Sequence, residues 1–189
     1  DLFEEGLHPL DCVEEIISAH RWVASRTDDE VHVHVTGRRD TYEMTFAWQE
    51  EYGTLQLYCE YNLTIPEDNL GHASMALMVI NSGLWIGHFD LPGDTRTPCF
   101  RHTFLFHGPV GNGGQEHIED LIQIALNECD RYFLAFHLLS APSCRDGESL
   151  SLSLMDTKTS RVLERESRTV TGSMDQLVEE IKAAAKFLV

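Results

Sequence analysis

The stretch that decides the fold is residues 31–63, which read VHVHVTGRRDTYEMTFAWQEEYGTLQLYCEYNL. Apolar and polar side chains alternate here in three successive runs, with the period of two that a β-strand produces. The apolar members are Val31, Val33 and Val35, then Tyr42, Met44, Phe46 and Trp48, then Leu55, Leu57, Cys59, Tyr61 and Leu63. Short polar segments separate the runs. The pattern predicts an antiparallel meander with one covered and one open face.

Helical periodicity surrounds this meander. It predicts a first helix over about 11–23, beginning with a capping box of Asp11 and Glu14, and a second over about 67–82. A broad apolar stripe predicts a third helix over about 115–138. Strands are expected at 84–91 and 99–107. The resulting order predicts an α+β fold, with an antiparallel sheet of about five strands and helices packed on one face.

The C-terminal part of the sequence is ambiguous. Residues 148–156 alternate like a strand, and the following residues could complete a hairpin, but Leu150 and Leu154 also lie one helical turn apart. Residues 173–189 are predicted to form an amphipathic helix, which could dock on or exchange with another copy of the chain. We expect one domain over residues 1–157 and a C-terminal extension over residues 158–189.

Composition excludes several classes of function. The 189 residues contain 14 Lys+Arg and 31 Asp+Glu, a formal net charge of −17. Binding to nucleic acid or to an anionic membrane needs a basic surface, so neither partner is expected. The sequence has no apolar run long enough to cross a bilayer. Its five scattered cysteines and the lack of a signal-peptide pattern lead us to expect reduced thiols and a cytoplasmic location.

Histidine and aspartate residues on the two later strands raise the alternative of a metal centre. His88 and Asp90 are two residues apart, so both would lie on one strand face, and His102 could join them if the strands pair. A hydrogen-bonded structural cluster is the competing interpretation of the same three residues. Because no complete metal or nucleophile motif accompanies them, we expect no metal site, no cofactor and no catalytic residue.

The open face of the sheet is the other candidate for function. We expect Tyr58, Phe89 and Leu105 to contribute to it. A partly apolar open face is typical of a dimer or ligand surface.

Several segments resemble the YbjN family, whose members are labelled bacterial sensory transduction regulators. They are HPLDCVEEII (8–17), LQLYC with the following IPED (55–68), LWIGHFDL (84–91), FRHTFLFHG (100–108), IEDLIQIALNECDRYFLAF (118–136) and ESLSLSLMDT (148–157). The resemblance implies a type III secretion chaperone-like fold that commonly forms homodimers, and it provides no catalytic residue. It also implies that residues 148–156 are helical, and we adopt that prediction.

The functional hypothesis combines these observations. We expect a non-enzymatic protein-interaction or chaperone-like regulatory module, a homodimer that binds an unidentified polypeptide through a sheet face or an open edge strand. The alternative is a metal- or small-molecule-binding protein centred on His88, Asp90 and His102.

Overall fold

A computed structural model describes residues 7–106, 112–141, 150–156 and 161–168. The helices are α1 (Pro9–Ala19), α2 (Leu70–Ser82, preceded by a 3₁₀ turn at Glu67–Asn69) and α3 (Asn112–Ser140). The strands are β1 (Ala24–Arg26), β2 (Glu30–Thr36), β3 (Thr41–Gln49), β4 (Thr54–Glu60), β5 (His88–Asp90), β6 (Cys99–Leu105), β7 (Leu150–Asp156) and β8 (Arg161–Arg168). None of the helices in this part of the chain combines the length and hydropathy of a membrane span.

The main sheet has six antiparallel strands in the order β1-β2-β3-β4-β6-β5. The predicted α+β class, the meander and the sheet-and-helix arrangement are confirmed. The additional strand is β1, which has only three residues and is too short to show an alternating pattern.

One face of the sheet forms the core. Val33, Met44, Cys59, Phe100 and Phe89 occupy successive register positions on five neighbouring strands, and all of them are buried. Helices α1 and α3 pack against this face, while α2 contacts α3 and the edge strand β5. The apolar period of two in the sequence therefore marks the side of the sheet that the helices cover.

Helix α1 begins two residues earlier than expected and ends earlier. Its first turn is capped by His8, whose Nδ1 accepts a 3.2 Å hydrogen bond from the backbone N–H of Leu10, and Pro9 occupies the first helical position. The predicted capping-box residues serve another purpose. Arg26 on β1 donates to the carboxylates of Asp11 (2.7 Å) and Glu14, which ties the edge strand to α1.

Strand β5 is shorter than the predicted strand at 84–91. Gly87 adopts a left-handed φ of 66°, which interrupts the extended conformation. A Cβ at this position would clash with the ring of Phe100, so the chain passes close over β6 before β5 begins. Pairing is therefore limited to His88–Asp90.

The predicted helix at 148–156 is wrong. Residues Leu150–Asp156 form β7, which pairs antiparallel with β8 in a separate two-stranded sheet. The alternation of leucine with serine in LSLSL is the correct signal, and the helical spacing of Leu150 and Leu154 is incidental to it. The predicted boundary at residue 157 falls between the two strands and stays a prediction. The predicted helix at 173–189 lies outside the described residues.

Candidate interaction surface on the open sheet face

The face of the main sheet opposite the core carries mostly polar side chains, and we call it the open face. Apart from the buried Cys99, the outward positions named below are exposed or half-buried, unlike the buried positions of the core face. The residues at its register positions on β2 to β6 are Glu30, His32, His34, Glu43, Thr45, Ala47, Gln56, Tyr58, Glu60, His88, Asp90, Cys99, Arg101 and Thr103.

A continuous row of polar side chains crosses the middle of the open face. His32, Thr45, Tyr58, Arg101 and His88 are register partners on β2, β3, β4, β6 and β5 in turn. Because directly opposed side chains on one face lie about 4.5–5.5 Å apart at Cβ, the row forms one connected strip.

Arg101 organises the strip at one end. Its Nη1 donates a 2.6 Å hydrogen bond to Oδ2 of Asp90, and its Nη2 lies 3.4 Å from the hydroxyl of Tyr58. The guanidinium carbon also lies 4.9 Å from the centre of the Tyr58 ring, a cation–π arrangement. The hydrogen bond from Arg101 lowers the pKa of Asp90, so this carboxylate is charged at neutral pH.

Hydrogen bonds also fix the other end of the strip. The two ring nitrogens of His32 lie 2.9 Å from Oγ1 of Thr45 and 3.1 Å from Oε2 of Glu30. Between the two ends, the hydroxyl of Tyr58 donates to the side-chain carbonyl of Gln56. Partners on the same strand and on neighbouring strands therefore hold these side chains in a defined arrangement before any ligand arrives.

Two carboxylates face each other beside the strip. Glu43 on β3 and Glu60 on β4 are direct register partners. Burial raises the pKa of Glu60, and the charge of Glu43 raises it further. Like charges opposed across two strands destabilise the sheet, so this pair is a strained feature of the open face.

The predicted grouping of His88, Asp90 and His102 does not form. Strands β5 and β6 do pair, but their register places Arg101 opposite His88 and directs His102 to the core face, opposite Leu57. There the His102 ring packs edge-on against Phe104 at 5.0 Å, and burial lowers its pKa. Within the described residues, no group of three or more His, Cys, Asp or Glu side chains could hold a metal ion.

The expected contributors to the open face are divided between the two faces. Tyr58 lies on the open face, and Leu105 pairs with Thr54 near its edge and is 67% exposed. The prediction for Phe89 is wrong, because this residue is the buried register partner of Phe100. With only three residues in β5, an offset of one position decides which side chain faces the core.

The sequence pattern alone does not mark Arg101 as a site residue. Arg101 is the only arginine or lysine in the two strands predicted after residue 80. Its position beside Tyr58 follows only from the register in which β4 and β6 pair. Asp130 was also missed, although it is a buried carboxylate on the helix with the clearest apolar stripe.

Comparisons with known proteins agree with this architecture. The YbjN family, described as "Putative bacterial sensory transduction regulator", matches residues 9–138. The crystal structure of YbjN from E. coli, described as a "putative transcription regulator", superposes with a TM-score of 0.51 at 11% sequence identity, covering 70% of this chain and 96% of that one. At this identity the superposition shows a shared fold. No curated protein gives a significant match. Since the family match extends over most of the described helices and strands, the chain belongs to the YbjN family.

Proposed function

We propose that this protein is a non-enzymatic regulatory interaction module that binds another polypeptide on the open face. The observation that carries the proposal is the strip of hydrogen-bonded polar side chains that includes Tyr58 at its centre and Arg101 beside it. Tyrosine and arginine dominate the energetics of protein interfaces, because each combines a large contact area with directional hydrogen bonds.

The structure favours the sheet face over the outer edge of β5 as the binding surface. A peptide that adds a strand needs unpaired backbone groups on an edge strand. On β5 the side chain of Asn81 occupies those groups, since it accepts from the N–H of Phe89 at 2.7 Å and donates to its carbonyl at 2.9 Å. We therefore propose that the polypeptide contacts side chains of the open face and not the outer edge of β5.

The proposal includes a homodimer and a cytoplasmic location. The dimer follows from the family resemblance. Within the described residues, four cysteines are buried with free thiols, which supports a reducing compartment, and the sulfur atoms of Cys59 and Cys129 lie only 3.6 Å apart.

The test is affinity capture with quantitative mass spectrometry, using the full chain and two matched variants. Tyr58→Ala removes the centre of the strip, whereas Met78→Glu changes a more exposed side chain on α2, which lies outside the open face. We expect a specific captured protein to be retained by the wild type and by Met78→Glu, and to bind roughly tenfold more weakly to Tyr58→Ala. Identical capture by all three chains would refute binding through the open face, provided that circular dichroism shows each variant to be folded.

A further inference from the structure

Two cysteines from different elements meet in the core. Cys59 lies on β4 and Cys129 lies on α3, 70 positions apart in the chain. Both residues are fully buried, and their sulfur atoms lie 3.6 Å apart. The sulfur of Cys129 also lies 3.9 Å from the carbonyl oxygen of Cys59. We call Cys59 and Cys129 the thiol pair.

Hydrogen bonds at two consecutive residues of α3 hold the thiol pair in place. The hydroxyl of Tyr61, which follows β4, donates a 2.7 Å hydrogen bond to the backbone carbonyl of Cys129. The hydroxyl of Tyr42 on β3 donates to the carboxylate of Asp130 at 2.8 Å. The rings of the two tyrosines also contact each other edge-on, with their centres 5.3 Å apart. The helix is therefore fixed to the sheet at the point where the two sulfur atoms meet.

The other cysteines in the described part of the chain are placed differently. Cys12 lies on α1. Cys99 lies on β6 as the register partner of Glu60, so it belongs to the side of the sheet opposite to Cys59. Its sulfur lies 3.4 Å from a backbone carbonyl oxygen of its own strand. Within the described residues, the thiol pair is thus the only place where one cysteine sulfur directly faces another.

We propose that the thiol pair is a site of reversible oxidation by hydroperoxides, and that its product is a disulfide between β4 and α3. The sulfur atoms of a disulfide are about 2.0 Å apart, so the observed separation of 3.6 Å must shorten by about 1.5 Å. Rotation of the two side chains with a small adjustment of the helix supplies a movement of this size. The bond would keep α3 on the sheet, because it links residues that are 70 positions apart.

The reaction consumes one molecule of hydrogen peroxide for each thiol pair. One thiol loses its proton, and its sulfur attacks an oxygen of the peroxide. The O–O bond breaks, which leaves a sulfenic acid and releases one water. The sulfur of the second thiol then attacks the sulfenic sulfur, and its proton leaves with the hydroxyl group as a second water. The two sulfur atoms are oxidised and both peroxide oxygens are reduced to water, while a dithiol reductant reverses the change by thiol–disulfide exchange.

Burial controls the rate of this reaction, and proximity decides its product. Burial and the hydrogen bond to Cys59 raise the pKa of Cys129, so this thiol keeps its proton while α3 is packed on the sheet. The first step therefore takes place during local openings of the junction, which makes it slow. When the junction closes, the sulfenic acid has the second thiol beside it and is shielded from further peroxide. We expect a disulfide as the product, and not the more highly oxidised sulfinic acid.

This inference goes beyond the proposed function, because it concerns the interior and not the open face. It is compatible with the reducing compartment proposed above, where disulfides are usually transient and often sense a change in redox conditions. Capture of a polypeptide by the open face neither requires the disulfide nor demonstrates it.

The test is peptide mapping of the full chain after treatment with hydrogen peroxide in native buffer. Catalase removes the remaining peroxide, free thiols are alkylated in urea, and the chain is digested without reductant. We expect linked peptides that contain Cys59 and Cys129 to be roughly tenfold more abundant than any other cysteine linkage, and to separate on treatment with dithiothreitol. Oxidation in urea should abolish this preference, since the unfolded chain does not hold the two sulfur atoms together.

Urea denaturation of the oxidised and the reduced protein gives a second measurement. A disulfide that closes a long loop restricts the unfolded chain, so the midpoint should rise by about 1 M or more on oxidation. Cys129→Ala should remove both the linked peptides and the rise in the midpoint. Cys12→Ala is the matched control, because it removes another buried thiol and should leave both results unchanged.

The map of the wild-type chain requires no variant, so it decides the matter even if Cys129→Ala fails to fold. The proposal would be overturned if peroxide in native buffer gave no linked peptides with Cys59 and Cys129, or no more of them than in urea. It would also be overturned if either residue were linked mainly to a different cysteine, or if oxidation left the urea midpoint unchanged. Loss of the linkage in Cys12→Ala would contradict it as well.

Discussion

The hydroxyl of Tyr42 on β3 donates a 2.8 Å hydrogen bond to Oδ1 of Asp130 on α3. The same carboxylate, only 5% exposed, accepts from the backbone N–H groups of Arg38 at 2.7 Å and Arg39 at 2.9 Å. Asp130 therefore fastens the turn between β2 and β3 to the long helix. Burial and the hydrogen bond to Asp130 both raise the pKa of Tyr42, so this hydroxyl keeps its proton as the donor.

Replacing Asp130 should destabilise the fold strongly. In Asp130→Asn one acceptor oxygen becomes an NH₂ group that faces N–H donors, so we expect a loss of about 2–3 kcal/mol in the free energy of unfolding. Tyr42→Phe removes a single hydrogen bond and should cost about 1–2 kcal/mol. Urea denaturation measures both values. An Asp130→Asn variant as stable as the wild type would show that the carboxylate does not hold the turn.

The same junction explains a requirement for glycine at position 37. A Cβ there would lie 2.7 Å from Cε2 of Tyr42 and 2.8 Å from Oδ1 of Asp130, both of which are held in place. We expect Gly37→Ala to lower the free energy of unfolding by about 1–3 kcal/mol. The matched control is Gly93→Ala, because its added Cβ meets no atom within 4 Å. Urea denaturation of both variants should show that Gly93→Ala is neutral or slightly stabilising.

Some of these features can be predicted from local sequence patterns, and others cannot. The alternation of Val31, Val33 and Val35 identifies both a strand and its buried face, because burial imposes a period of two on the chain. The bond between Tyr42 and Asp130 joins residues 88 positions apart, and it leaves no local pattern. A polar residue buried on α3 becomes interpretable only when its partners are known.

The open face illustrates the same limit for function. His88 and Asp90 share that face as their spacing predicts, but the third member of the group is Arg101 and not His102. The sequence allows the two strands to pair across the turn between them, but it does not fix their register. A shift of one residue exchanges a side chain of the core for one of the surface.

The side chain of Asn81 should control hydrogen exchange at the edge strand β5. It makes hydrogen bonds to both the N–H and the carbonyl of Phe89. Asn81→Leu removes both bonds, and we expect the Phe89 amide to exchange roughly tenfold faster. Asn81→Asp keeps the acceptor for that amide and should preserve more of its protection. Ser82→Ala serves as the control, and equal exchange rates in all four proteins would contradict the role of Asn81.

Glu60 should make the protein less stable as the pH rises. Its folded-state pKa is raised by burial and by Glu43, so its contribution to stability is present at acidic pH and is lost as the pH rises through the raised pKa. Glu60→Gln should remove this loss and increase the free energy of unfolding at neutral pH by about 0.5 kcal/mol. Denaturation at several pH values provides the measurement. The same replacement at the exposed turn residue Glu51 should leave the free energy of unfolding close to that of the wild type.

The four buried cysteines should resist alkylation while the protein is folded. Burial raises the pKa of Cys129, of Cys99 and of Cys12, so each is a protonated thiol that a reagent also cannot reach. We expect iodoacetamide to label these sites roughly a hundredfold faster in urea than in native buffer, as measured by peptide mass spectrometry. Ser18→Cys introduces a thiol on the exposed side of α1 and should react at once in the folded protein. The sulfur of Cys129 on α3 lies 3.6 Å from the sulfur of Cys59 on the sheet beneath the helix. Rapid labelling of Cys129 in native buffer would therefore mean that α3 separates from the sheet.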